Sequence, residues 1–187
     1  SAASDVYKRQ IIRGCEFIKD ARASRDHGGV AGVLPPAVAT DRRVSTQSVW
    51  NIGWNYKGLS TAVRLFRKIG HPRAEEFAAE ARDYKNVFIR ALRERTAEMP
   101  VWTDKQGQTH RIVAHSLSAG GEIFHAFYLD TGPLFLVWSG LLQADDELMR
   151  STAEFFRQGP HTRLFDPNGN CWQRPVLIHE ISSCEPC

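Results

Sequence analysis

The sequence predicts an all-α fold assembled from αα-hairpins, and three observations carry that prediction. From Thr46 to Ile69, the residues Val49, Trp50, Trp54, Leu59, Ala62, Val63, Phe66 and Ile69 recur at mostly three- and four-residue steps, the period of a helix with one apolar stripe. From Arg73 to Glu98, Phe77, Ala81, Tyr84, Phe88, Ala91 and Leu92 repeat the pattern, while Glu75, Glu76, Glu80, Arg82, Arg90 and Arg93 fall largely on the other faces. Only Gly70-His71-Pro72 separates the two segments. The glycine can take the left-handed conformation that ends a helix and the proline can open the next, so the two helices fold back on each other as a hairpin.

The other elements follow in order. Ser1 to Gln10 (SAASDVYKRQ) resembles a translated sequencing-adapter remnant, so residues 1–10 read as a non-native leader outside the fold argument. Ile11, Cys15 and Ile18 share one face of a segment that reads as the last turns of a helix ending near Ala23. Ser24 to Ser45 is a long connection with two prolines and three glycines, too apolar for a solvated linker and therefore functional or packed. After Met99 the helical period stops. Val101-Trp102-Thr103 and His110 to Val113, with Gly107 between them, read as a short β-hairpin or an extended excursion. The apolar run Ile123 to Leu129 fits strand or helix equally.

A second hairpin is expected from Thr131 to Gln143 and Asp145 to Gln158. Pro133 stands in the first turn, and Leu134, Val137, Trp138, Leu141 and Leu142 form an apolar band. Ala144-Asp145-Asp146 makes the turn and caps the next helix, which Leu148, Met149, Thr152, Phe155 and Phe156 continue to Gly159. From Pro160 to Pro175 the chain reverts to loop, with a turn signal at Asp166-Pro167-Asn168-Gly169-Asn170, and Val176 to Ile181 is a short apolar run.

Composition narrows the function classes. With 42% hydrophobic and 24% charged residues the chain has ordinary globular composition. A formal net charge of +3, with basic residues scattered among acids, argues against nucleic acid as a partner. No run approaches the roughly 18 apolar residues that a membrane-spanning helix needs. There is no Gly-rich phosphate loop, nucleophile elbow or H-E-x-x-H sequence.

Short turns at one end alternate with long loops bearing aromatics and charges at the other, so one rim is plain and the other elaborated, as functional loops require. The hairpins recur at about twice the roughly 34–47-residue period of helical-repeat arrays, which favours a closed toroid over a solenoid. Gly32-Val33-Leu34-Pro35-Pro36, then Trp50-Asn51 and Trp54 opening a helix that continues Lys57-Gly58-Leu59, then Gly70-His71-Pro72 before an Ala/Glu-rich helix, together resemble a hairpin of the six-hairpin glycosidase superfamily. Tyr128 to Pro133, leading to Trp138, is similar to the start of another inner helix. The resemblance implies that residues 11–187 are part of an (α/α)6 barrel truncated at both ends, with the remainder of its own barrel as its missing partner. It also implies a glycoside hydrolase that binds a carbohydrate substrate at the elaborated rim, and no cofactor is expected apart from the zinc alternative weighed below.

Glycoside hydrolysis needs two carboxyl groups flanking the scissile bond and aromatic faces on which sugar rings stack. Acids in or beside the long loops are Asp41, Asp104, Glu122, Asp130, Asp166, Glu180 and Glu185; aromatic residues are Trp50, Trp54, Tyr56, Trp102, Tyr128 and Trp172. The expected catalytic pair is Glu180 and Asp130, with Asp41 in reserve. Trp50, Asn51, Trp54, Tyr128, Trp172, Arg174 and His179 are the expected substrate contacts. Capping competes for Asp41, core packing for Trp50 and Trp54, and a turn role for Asp166. Cys171, Cys184, Cys187 and His179 have spacings compatible with zinc, and some (α/α)6 glycosidases hold zinc through cysteine, yet a disulfide or plain thiols are the simpler reading. Two other function classes stay open. One is a non-catalytic helical scaffold for peptides or proteins. The other is a toroid epimerase or polysaccharide lyase working through His27, His110, His115 or His179 with a tyrosine.

Overall fold

A computed structural model describes residues 2–38, 45–118 and 130–158. The protein is mainly α-helical, as the periodicity predicts, and among the described residues the sheets are two minimal antiparallel pairs. Helix α1 runs Ala2–Ala23, α2 Val49–Lys68 and α3 Ala74–Ala97. Strands β1 (Ala37–Val38) and β2 (Ser45–Thr46) pair ahead of α2. Strands β3 (Val101–Thr103) and β4 (Thr109–Arg111) form the expected hairpin, with Gly107 at φ 80° in its turn. A π-helical turn at Asp130–Leu134 leads into the short α4, Phe135–Ser139, and α5 spans Glu147–Gln158.

The α2–α3 hairpin closes as its sequence dictates. Gly70 has φ 65°; its amide donates to Arg67 O at 3.2 Å and the His71 amide to Phe66 O at 2.8 Å. These are the two bonds of a Schellman stop, and the His71 ring stacking on Phe66 at 4.7 Å adds its apolar contact. Between the helices lies the core, in which Leu59, Phe66, Phe77, Tyr84, Phe88 and Leu92 are fully buried. Burial of side chains this size contributes about 1.5–3 kcal/mol each.

The second hairpin departs from expectation. The helix expected to reach Gln143 stops at Ser139, because Gly140 at φ 86° lets the Gly140 amide donate to Val137 O and that of Leu141 to Leu136 O, each at 3.1 Å. Asp146 caps α5 as expected, accepting the Leu148 amide at 3.0 Å.

Two long connections meet at one rim. The α2 N-terminus and the segment after α3 are joined by the Ser48–Ser116 bridge and by the Val49 amide donating to His115 O at 2.9 Å. Gln47, 2% exposed, ties the Gly-rich loop to the same place. Its carboxamide accepts the Val30 amide at 2.7 Å and donates to Val30 O and Leu34 O at 2.8 Å each. The Leu34 loop and the Gly107 hairpin therefore share the end opposite Gly70; the Asn168 loop lies outside the described residues.

Candidate functional site

The first half of α2 carries the chemistry. Trp50 and Trp54, four residues apart, stand on one helix face, and α4 brings Phe135 and Trp138 against them. Ring centroids are 5.5 Å apart for Trp50–Trp54, 4.6 Å for Trp50–Phe135, 4.9 Å for Trp54–Phe135, 4.9 Å for Trp54–Trp138 and 4.8 Å for Phe135–Trp138. Gly53 allows this approach: a Cβ there would stand 2.7 Å from the Phe135 ring. Four aromatic rings in mutual contact would ordinarily be core. Here Trp54 is 45% and Trp138 50% exposed, so the cluster is a platform open to solvent, of the apolar kind that marks a binding surface. Lys57 completes it, with Nζ 4.5 Å above the Trp138 ring and donating to Trp138 O at 2.8 Å.

Asn51 and Asn55 occupy the adjoining flank of α2, where the Asn55 side-chain Nδ2 donates to the Asn51 backbone carbonyl at 2.8 Å. They line a concavity of about 410 Å³ between α1, the Leu34-Pro35-Pro36 segment and α2, together with Phe17, itself 66% exposed. One helix thus presents aromatic faces on one side and carboxamides on the next, that of Asn55 already spending one Nδ2 hydrogen on the helix backbone.

Trp50 and Trp54 thus share one face of α2 with Asn51 on the adjoining flank, and Phe135 and Trp138 lie against the tryptophans with Lys57 over the Trp138 ring. Trp138 and Val137, read in the sequence as part of an apolar band, prove 50% and 37% exposed. The available signal for Phe135 was Gly53, a glycine between Trp50 and Trp54 that can mark close approach by another element, although Gly58 in the same helix has nothing within 4 Å of its Cβ position.

Three loop candidates have structural work instead. Trp102 is 4% exposed, stacked on His110 at 4.7 Å and edge-on to Phe155 at 5.6 Å. Tyr56 is 9% exposed and packs edge-on against Tyr84. Asp104 anchors the β3–β4 turn: Oδ1 accepts the amides of Gln106 at 2.9 Å and Gln108 at 2.8 Å, and Oδ2 lies 2.7 Å from His110 Nε2. The His110 contact holds the Asp104 carboxyl below its ordinary range. Cys15 is buried, and burial pushes its thiol up to about 11, outside nucleophilic range.

Asp130 opens the π-helical turn, a backbone form frequent at functional sites, but its side chain is not among those described. Asp41, Glu122, Tyr128, Asp166, Cys171, Trp172, Arg174, His179, Glu180, Cys184, Glu185 and Cys187 lie outside the described residues. Among the described residues no group of three or more His, Cys, Asp or Glu side chains could hold a metal, and no helix is long and apolar enough to cross a membrane. The chain matches no family model, no curated protein and no solved structure.

Proposed function

We propose that this chain is part of a carbohydrate-active enzyme of the glycoside hydrolase kind, and that the Trp50–Trp54–Phe135–Trp138 platform is where its sugar stacks. The exposed platform carries the reading. A pyranose presents C–H faces that are apolar and slightly positive, and an aromatic face is their physical complement. The carboxamides of Asn51 and Asn55 offer both donors and acceptors to the ring hydroxyls beside it. The six-hairpin arrangement is supported by how α2 and α4 pack. The two helices lie side by side at Gly53 and Phe135, as neighbouring inner helices of an (α/α)6 barrel would, with the remainder of the ring supplied by chain beyond these residues.

In this reading Asp130 and Glu180 form the catalytic pair on successive hairpins, with Asp41 in reserve, and Tyr128, Trp172, Arg174 and His179 extend the substrate contacts. One carboxyl protonates the glycosidic oxygen; the other acts as nucleophile or activates water, depending on a separation of about 5–9.5 Å. The test is a hydrolysis assay on the full-length protein with a panel of oligosaccharides. Glu180→Gln is expected to abolish turnover while sugar affinity and Tm stay unchanged. Trp54→Ala is expected to weaken sugar binding by about 2- to 10-fold, the worth of one aromatic contact. A Glu180→Gln protein that still turns over removes Glu180. A Trp54→Ala protein with unaltered affinity removes the platform.

A further inference from the structure

The flank of α2 opposite the asparagines borders a second concavity, and its chemistry differs from that of the platform. A groove of about 510 Å³ runs between α2 and α3, lined by Lys57, Arg64 and Arg67 from one helix and Arg82 and Lys85 from the other, with no aspartate or glutamate on its walls. Elsewhere in the described residues the buried or bridging arginines are tied to carboxylates: Arg22 to Glu80 and Asp83, Arg73 to Glu16 and Glu76. In the groove Arg67 is so neutralised, by a bidentate pair with Glu75 at 2.8 and 3.0 Å, and the same carboxylate lies within electrostatic reach of Arg82. Arg64 meets only the Thr61 hydroxyl, at 3.2 Å.

The two lysines are positioned by the end of α4. Lys57 Nζ donates to Trp138 O and Lys85 Nζ to Gly140 O, each at 2.8 Å. Carbonyls at a helix C-terminus attract cations, and each ammonium keeps further donor capacity. Lys57 belongs to both features, since it lines the groove and sits over the Trp138 ring. On α2, Lys57 and Arg64 are two helical turns apart, about 10 Å along the axis. Lys57 therefore links the cationic groove to the aromatic platform.

We infer that this groove is an anion subsite continuous with the platform, and that the carbohydrate bound there carries carboxylate or sulfate groups, as in a uronic-acid or sulfated oligosaccharide. The inference rests on the carbohydrate reading above for the nature of the ligand, and on the groove for its charge. A nucleic acid also combines anions with stackable rings. Yet the positive channel is short and Glu75 stands at its α3 end, paired with Arg67, where it opposes a continuous phosphate backbone while leaving room for isolated anionic groups.

The experiment compares two oligosaccharides of equal length, a neutral glucan and an oligogalacturonate, by calorimetric titration at low and high salt, with a single-stranded oligonucleotide as a third probe. The variants are Arg64→Gln/Arg82→Gln/Lys85→Gln and, separately, Trp54→Ala, each checked by melting temperature. The oligouronate is expected to bind about tenfold tighter than the glucan at low salt. That preference should vanish at high salt and in the triple variant, glucan affinity should survive the triple variant, and Trp54→Ala should weaken both sugars. Equal affinity for the two sugars, still dependent on Trp54, overturns the groove assignment and leaves the platform standing. Uronate preference that persists in the triple variant also overturns it. An oligonucleotide that outcompetes the uronate through the same three side chains replaces the proposed ligand class. Failure of both sugars to bind overturns the carbohydrate reading beneath it.

Discussion

Replacing Arg22 with methionine is expected to destabilise the protein by about 3–5 kcal/mol, the range for leaving half of a buried ion pair behind. Arg22 is 4% exposed. Its guanidinium joins α1 to two other parts of the fold: Nε donates to Gly32 O at 2.9 Å, one terminal nitrogen to Glu80 O at 3.3 Å and to the Glu80 carboxylate, and the other to Asp83 at 2.8 Å, with the whole group 4.4 Å over the Tyr84 ring. Asp83 is 69% exposed and returns to water at little cost. The Glu80 side chain is only 18% exposed, and the Gly32 carbonyl loses its guanidinium donor, so those two groups set the magnitude. For a chain of this length the loss corresponds to a fall in Tm of roughly 10 °C. Chemical denaturation of Arg22→Met, and of Arg22→Met/Glu80→Leu, measures it. The double variant should recover part of the loss, because an apolar pair replaces an orphaned charge. A loss below about 1 kcal/mol in the single variant would refute the claim that this cation holds α1 and the Gly32 loop onto α3.

Other perturbations probe the remaining elements. Gly53→Ala gains about 1 kcal/mol of helix propensity but drives a methyl to 2.7 Å from the Phe135 ring. Overpacking of about 1–3 kcal/mol should win, giving a lower Tm and altered tryptophan fluorescence. Gly140→Ala forces an L side chain to φ 86° and should cost about 1–2 kcal/mol in a denaturant melt. Because the folded Asp104 pKa is depressed by His110, its contribution is complete above the ordinary 3.8 and is lost as pH falls below it. His110→Gln should therefore flatten the pH dependence of Tm in acid, and unchanged acid sensitivity would count against the pair.

The α2–α3 hairpin was legible because two long periodic segments flanked a glycine whose left-handed conformation the chain then used. The second hairpin was harder to read. The apolar band from Leu134 to Leu142 runs straight through Gly140, and periodicity cannot tell whether a glycine will stop a helix or be carried within it. The platform was half legible for a related reason. The four-residue step from Trp50 to Trp54 fixes a shared face, but a pattern of apolar residues does not say whether anything covers that face, so Trp138 read as core. Trp102 went the other way: in a strand it alternates with exposed Val101 and Thr103, and its inward side is filled by Phe155, a contact over fifty residues away that no local pattern encodes. Asp104 two residues before Gln106 in a glycine turn is an anchoring arrangement, and that local signal was available.

The central claim is that an exposed indole surface, and not the buried hairpin tryptophan, meets the sugar. Indole N–H resonances of the isotopically labelled protein, followed through an oligosaccharide titration, test it most directly. Trp50, Trp54 and Trp138 should shift together in proportion to occupancy while Trp102 stays fixed as an internal control. Saturable sugar binding that leaves those three resonances unmoved would contradict the account.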